Sequence, residues 1–193
     1  MAGTPTQQQL PSEIYASLTG PIDQVIVQRV FQGITVAIQA SVKTVHLFFH
    51  SNGGTVGDGI SLYNYFRALP LELHIYNGGT VSSIAVIAFL GARHRYASTY
   101  ATFMVHRTYA TSALFTSAAA ANATRLHALT QGLEIDDTRT RSILQAHIKL
   151  SDLELDDRLT NEVPFDANAA LQCGLISAVR EFEPPTGTKL FNL

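Results

Sequence analysis

Several things are scarce in this chain, and each scarcity narrows its class. Among 193 residues there is one cysteine, Cys173, and no tryptophan. A single cysteine can neither close an internal disulfide nor supply a cysteine-cluster zinc site, so a reducing compartment is the expectation. Charge is sparse, at 15% of residues with a net of −2, which excludes the basic surface that nucleic-acid binding demands. No apolar run approaches the ~20 residues that span a bilayer, and Val81–Ala92 falls far short. The opening MAGTPTQQQLPSE lacks both the basic start and the apolar core of a signal peptide. A cytoplasmic protein without a membrane or nucleic-acid partner is expected.

What is present is an alternation of strand and helix patterns. Residues 1–12 are polar, with prolines at Pro5 and Pro11, and read as a flexible arm before a single domain, 13–193. Ile14–Leu18 reads as a short strand closed by Gly20-Pro21. Apolar residues at Ile22, Val25, Ile26, Val30, Ile34, Ala37 and Ile38 fall at helical spacing and predict a core-facing stripe. Thr44–Phe49 reads as a buried strand. Val56, Ile60, Tyr63, Phe66 and Leu69 predict a second helix, ended by Pro70. Glu72–Tyr76 is a strand candidate with a second glycine turn, Gly78-Gly79, after it. Ser83–Leu90 predicts a buried helix, and Arg95–Ala97 and Thr102–Val105 short strands. This order is the signature of βαβ units and a largely parallel sheet. Beyond Tyr109, Thr116–Leu150 predicts a long helix that projects from so small a core and meets another copy of the chain. Ser151 and Glu154 have capping-box spacing. Val163–Phe165 is a strand candidate, Asp166 a helix N-cap, and Gly174 a helix end before Leu175–Val179.

Ligands in parallel α/β sheets bind beyond the carboxyl ends of the strands, where both glycine pairs are expected. At Ser51-Asn52-Gly53-Gly54, glycine either serves a tight turn needing positive φ or brings bare backbone N–H groups close to a substrate. In Asn77–Ala92, Ser83 stands where an apolar helix begins. There its hydroxyl serves either as a nucleophile at a sharp turn or, with Ser82, as a plain cap. His106, after a strand on the same edge, has the best context for a general base among seven histidines. His50 touches the first glycine turn and is held in reserve. His46 and His74 read as strand residues, and His127 and His147 as surface or interface groups on the long helix. Glycine N–H donors, a serine at a helix start and a histidine at a strand end are three parts of an acyl-transfer site.

Those segments resemble the proteolytic subunit family of the Clp protease, within the wider Clp/crotonase fold. Ser51-Asn52-Gly53-Gly54 with Tyr63 on the next helix is similar to the family's Ser-Pro-Gly-Gly and mid-helix tyrosine. Gly79-Thr80-Val81-Ser82-Ser83-Ile84 is similar to its Gly-x-Ala-Ala-Ser-Met, and Met104-Val105-His106 to its Met-Ile-His. Looser likeness runs from Glu13-Ile14-Tyr15 to Cys173-Gly174-Leu175-Ile176. The resemblance implies an α/β core of repeated ββα units in a spiral, with a protruding long helix. It implies a serine endopeptidase with Ser83 as nucleophile, His106 as its base, and the N–H groups of Gly54 and Ile84 as oxyanion hole. No cofactor and no metal is implied at the site.

Counting back from Gly174 places the family's third residue, an aspartate, at Glu162; Asn161 is the runner-up, and Asp157 and Asp166 stay open. A homo-oligomeric ring, heptameric or of stacked rings, is implied, with peptide or unfolded protein as substrate and a Clp-type ATPase as partner. Four departures qualify this. Asn52 replaces the proline, and the Ser83–His106 spacing is slightly shortened. No glycine-rich groove strand is recognisable in Arg107–Phe115, and no axial loop in the first residues. Two other readings therefore stand beside the peptidase: a catalytically inactive ring subunit, and a crotonase-type acyl-CoA enzyme.

Overall fold

Alternating burial along three neighbouring strands makes the centre of the molecule. The computed structural model describes residues 11–109 and 123–193. Strands β1 (Glu13–Thr19), β2 (Thr44–Ser51) and β3 (Glu72–Ser82) lie side by side and parallel. Ile14, Ala16 and Leu18, then Val45, Leu47 and Phe49, then Leu73 and Ile75 are buried, as a period of two requires of one sheet face. They join one core with Val30 and Ile34 of α1 (Gln24–Gln39), Leu62 and Phe66 of α2 (Val56–Ala68), and α3 (Ile84–Leu90), every residue of which is buried. Asp23 starts α1 by accepting a bond from the Ile26 N–H at 2.9 Å. Leu69 ends α2 in extended backbone (ψ 135°), the conformation a following proline imposes.

The remaining strands are β4 (His94–Ala97), β5 (Thr102–Met104), β6 (Phe165–Asp166), β7 (Ala178–Val179) and β8 (Leu190–Asn192). The order is β6-β5-β3-β2-β1-β8, with β4 branching from β3 to pair with β7. Among these pairs only β5 and β6 run antiparallel. Helix α4 (Ala123–His147) is long and largely exposed until Leu144 turns into the core. Helices α5 (Asp152–Asn161) and α6 (Ala167–Gln172) follow. Ser151 and Glu154 form both halves of the expected capping box, and Asp166 caps α6. No helix among the described residues is long and apolar enough to cross a membrane.

Two expectations need correction, and one strand goes beyond them. Gly78-Gly79 is no turn: both lie inside β3, which runs on to Ser82. Gly78 is required because the Phe48 ring lies where its Cβ would be. Val25 and Ile38 do not face the core but are exposed, since the buried stripe follows Ile26, Val30, Ile34 and Ala37. The edge strand β8, not anticipated, pairs in parallel with β1, and Leu193 enters the core over Gly33. Residues 1–10 of the proposed arm, 116–122 of the proposed helix, and 110–115 of the groove segment lie outside the described residues.

Candidate active site

The site begins where β3 stops. Ser83 has φ 58° and ψ −136°, and α3 starts at the next residue. A side chain in that conformation costs about 1–3 kcal/mol and persists only where its surroundings impose it. Here they do. The Ser83 N–H donates to the Met104 carbonyl at 2.7 Å, and α3 is anchored by its complete burial. The Ser83 hydroxyl does not cap the helix and makes no hydrogen bond among the described residues. Ser82 is the last residue of β3 and buried.

The first glycine pair comes up against this serine. Gly53 has φ 103°, and a Cβ there would stand 2.6 Å from Ser83 Cβ and 3.0 Å from Ser83 Oγ. Two constraints thus require glycine at Gly53: its positive φ and the close approach of Ser83. Gly54 is bridged to Ile22, whose carbonyl occupies the place of any Cβ on Gly54. That bridge uses the Ile22 N–H to Gly53 O (2.9 Å) and the Thr55 N–H to Ile22 O (2.8 Å), leaving the Gly54 N–H outside it. The Ile84 N–H is likewise spared, because the first N–H groups of a helix have no partner within it.

Ser83, Gly54, Ile84 and His106 line one open cleft of about 700 Å³. The tie from the Ser83 N–H to Met104 sets His106, two residues on, beside the serine's end of the sheet. The imidazole stacks on Tyr109 (centroids 4.9 Å apart), and its Nδ1 lies 2.6 Å from the Arg107 carbonyl. A carbonyl only accepts, so the neutral ring carries its proton on Nδ1 and Nε2 keeps its lone pair. Nε2 is therefore chemically equipped to take a proton. Among the described residues, no hydrogen bond joins His106 to Ser83, and none joins His106 to a carboxylate.

Glu162 sits at the C-cap of α5 with φ 53°, exposed, outside the cleft lining and without a hydrogen bond or ion pair among the described residues. Its placement is nonetheless informative. The β5–β6 register pairs Thr102 with Asp166 and Phe103 with Phe165; carried three steps further, it sets His106 opposite Glu162. Pro164, lacking an N–H, stops the ladder before that point. Asn161 bonds Asp157 (2.7 Å) and Asp166 caps α6, so these alternatives serve local structure. His50 accepts from the Thr80 N–H at 3.2 Å, joining β2 to β3.

One wall could not be read from the sequence. Leu133, Asp136, Thr140 and Leu144 of α4 face the cleft, and neighbouring Asp137 accepts from the Thr108 N–H at 2.5 Å. Arg107 reaches Asp156 of α5 at 3.2 Å, fastening the segment after His106 from the other side. The spacing of Leu133, Asp136 and Thr140 is that of one helix face, a pattern common to any helix. Tyr63 donates or accepts at His147 Nε2 (3.0 Å) beneath α4, with Arg67 donating to the Tyr63 hydroxyl at 2.9 Å. Burial, with Arg95 and Arg67 nearby, holds the His147 pKa below its ordinary value.

A parallel sheet whose strand end carries a strained serine, with bare glycine backbone against it, defines the Clp/crotonase-like architecture. The Clp protease family model matches residues 4–183, and the chain belongs to that family. Its fold is similar to that of a point mutant of ClpP1 from Listeria monocytogenes, with a TM-score of 0.74, 15% identity, and coverage of 87% of this chain and 91% of that one. No curated protein matches.

Proposed function

We propose that the protein is a serine endopeptidase of the Clp type. The observation that carries this is Ser83, held at positive φ with a free hydroxyl against Gly53, in the cleft that also holds His106. In the reaction, His106 Nε2 accepts the Ser83 proton as Oγ attacks the peptide carbonyl. The tetrahedral oxyanion is met by the Gly54 and Ile84 N–H groups. Collapse passes the proton from His106 to the leaving amine and leaves an acyl-serine, which water, deprotonated by the same imidazole, hydrolyses. Glu162 orients His106 once the chain preceding Pro164 closes on β5; until then the Arg107 carbonyl holds the same tautomer without stabilising an imidazolium.

The substrate is an extended or unfolded peptide, and the working form is a homo-oligomeric ring. The exposed apolar residues Val25 and Val36 of α1 and Leu126 and Ile135 of α4 support assembly, being suited to burial by further copies. A Clp-type ATPase partner is consistent with the family alone.

The inactive-subunit reading is favoured by one specific observation, the engagement of His106 Nδ1 by a carbonyl instead of a carboxylate. Fluorophosphonate labelling of purified protein, with the modified residue mapped by mass spectrometry and Ser83→Ala as control, separates the two. Labelling confined to Ser83 is the result expected of the peptidase. A folded, oligomeric protein that stays unlabelled sinks it.

A further inference from the structure

A second cluster lies at the other end of the sheet. In a parallel sheet, residues in register stack across strands on one face, and here the register aligns Tyr15, His46, His74 and His94 over β1 to β4. Their rings form a continuous row, with centroids 4.6 Å apart from Tyr15 to His46, 4.9 Å to His74 and 4.3 Å to His94. Within it the histidines are in different chemical states. His46 is spoken for: Nδ1 meets the Tyr76 hydroxyl at 2.9 Å, and Nε2 pairs with Glu13. His74 is not. Both of its ring nitrogens are shut off from solvent without a hydrogen-bond partner, and Glu72 Oε2 stands 3.5 Å from Nε2, too far for a good bond. Desolvated imidazole nitrogens left without a partner are rare in folded proteins and call for an explanation.

Glu72, two residues earlier on the same strand face, and His94, directly across on β4, supply one. Among the described residues, Glu72, His74 and His94 offer one ligand atom each, all within 4.8 Å of one another. We propose that these three residues bind a late first-row divalent cation, with Zn²⁺ the ordinary case. Two imidazoles and one carboxylate are a donor set suited to such an ion, and soft sulfur ligands are not needed. Ligand atoms around Zn²⁺ at bonds of ~2.1 Å stand roughly 3.4 Å apart in a tetrahedron, so closing the set takes side-chain rotation of the half-buried His94 and exposed Glu72 about the fixed His74. The fourth position stays open to water.

The site joins the short strand β4 to β3. Ser83 lies nine residues beyond His74, roughly 25–30 Å along a strand, so the ion is a clamp on the sheet and takes no part in chemistry at the serine. The proposal is independent of the peptidase reading.

The test is calorimetric titration of Zn²⁺ into untagged, chelator-treated protein, with Co²⁺ visible absorption as a second readout of ligand geometry. Expected are one ion per chain, a Tm raised by Zn²⁺, and a loss of affinity of more than about 10-fold in both His74→Ala and His94→Ala. Glu72→Gln should weaken binding less, and His127→Ala on exposed α4 not at all. Circular dichroism of each variant keeps misfolding apart from loss of a ligand. Because His94 lies on the short strand β4, its variant decides if His74→Ala fails to fold. No binding up to about 1 mM, or an affinity unmoved by His94→Ala, overturns the site.

Discussion

Alanine at Gly53 separates backbone conformation from close packing as the reasons for glycine beside Ser83, because Gly20 provides a matched control. Both have left-handed backbone, φ 103° at Gly53 and 120° at Gly20, but a Cβ on Gly20 meets nothing within 4 Å. Each substitution therefore incurs the backbone strain of about 1–3 kcal/mol. Only at Gly53 does the new methyl also press on Ser83 Cβ at 2.6 Å, Ser83 Oγ at 3.0 Å and the Ser82 carbonyl at 3.1 Å. Ser83 cannot step aside cheaply, since its N–H is bonded to Met104 and α3 behind it is buried. Overpacking adds about 1–3 kcal/mol. For a chain of this size each kcal/mol lowers Tm by roughly 2–4 °C, so Gly53→Ala should fall about twice as far as Gly20→Ala. The decisive assay is the rate of fluorophosphonate labelling at Ser83. Gly20→Ala should label at the wild-type rate. Gly53→Ala should label about 100-fold more slowly, the effect of displacing a reacting atom by an ångström or so. A folded Gly53→Ala that labels normally, or a Gly20→Ala equally slowed, refutes the coupling of the glycine turn to the serine.

Three further outcomes are expected. Glu162→Gln should lower peptide hydrolysis by about 10²–10⁴-fold with little change in KM, whereas Asp136→Asn on the α4 wall should cost less than about tenfold; the opposite ranking would transfer the orienting role to the helix. Arg95 donates to the carbonyls of Leu175 (2.8 Å), Ala92 (2.9 Å) and Gly174 (3.2 Å), so Arg95→Met strands three acceptors and should destabilise by about 3 kcal/mol in urea unfolding; a loss below about 1 kcal/mol would show that water replaces the guanidinium. His147, whose pKa is held below its unfolded value of 6.5, binds a proton less readily folded than unfolded. Its contribution to stability is therefore complete above about pH 7 and is lost as pH falls through 6.5 toward the folded pKa. Urea midpoints at pH 7.5 and 5.5 should drop more for wild type than for His147→Gln, and equal drops would remove His147 from the account.

Ser83, His106 and the glycine pair were legible because each is announced by its immediate neighbours. A strand pattern that breaks at Gly53, and an apolar helix that begins after Ser83, are signals within a few residues. The capping box at Ser151 and Glu154 and the cap at Asp166 were legible for the same reason. The second glycine pair misled because glycine has two uses. Gly78 carries no side chain on account of Phe48, thirty residues earlier and one strand away. Likewise nothing near Leu190 reveals that it pairs with Tyr15.

By itself, then, the sequence determined the alternation of strands and helices, the ends of several helices, and the positions where backbone had to be bare. Tertiary structure alone decided which atoms meet. It gave the His106 proton a carbonyl partner, ran α4 along the cleft, left Glu162 exposed at the end of α5, and lined His46, His74 and His94 in a row. The physical reason is reach. Capping, turn conformation and amphipathic period are settled within about four residues, while strand register is settled by packing between segments far apart in the chain, where a slip of one residue would turn every side chain to the opposite face.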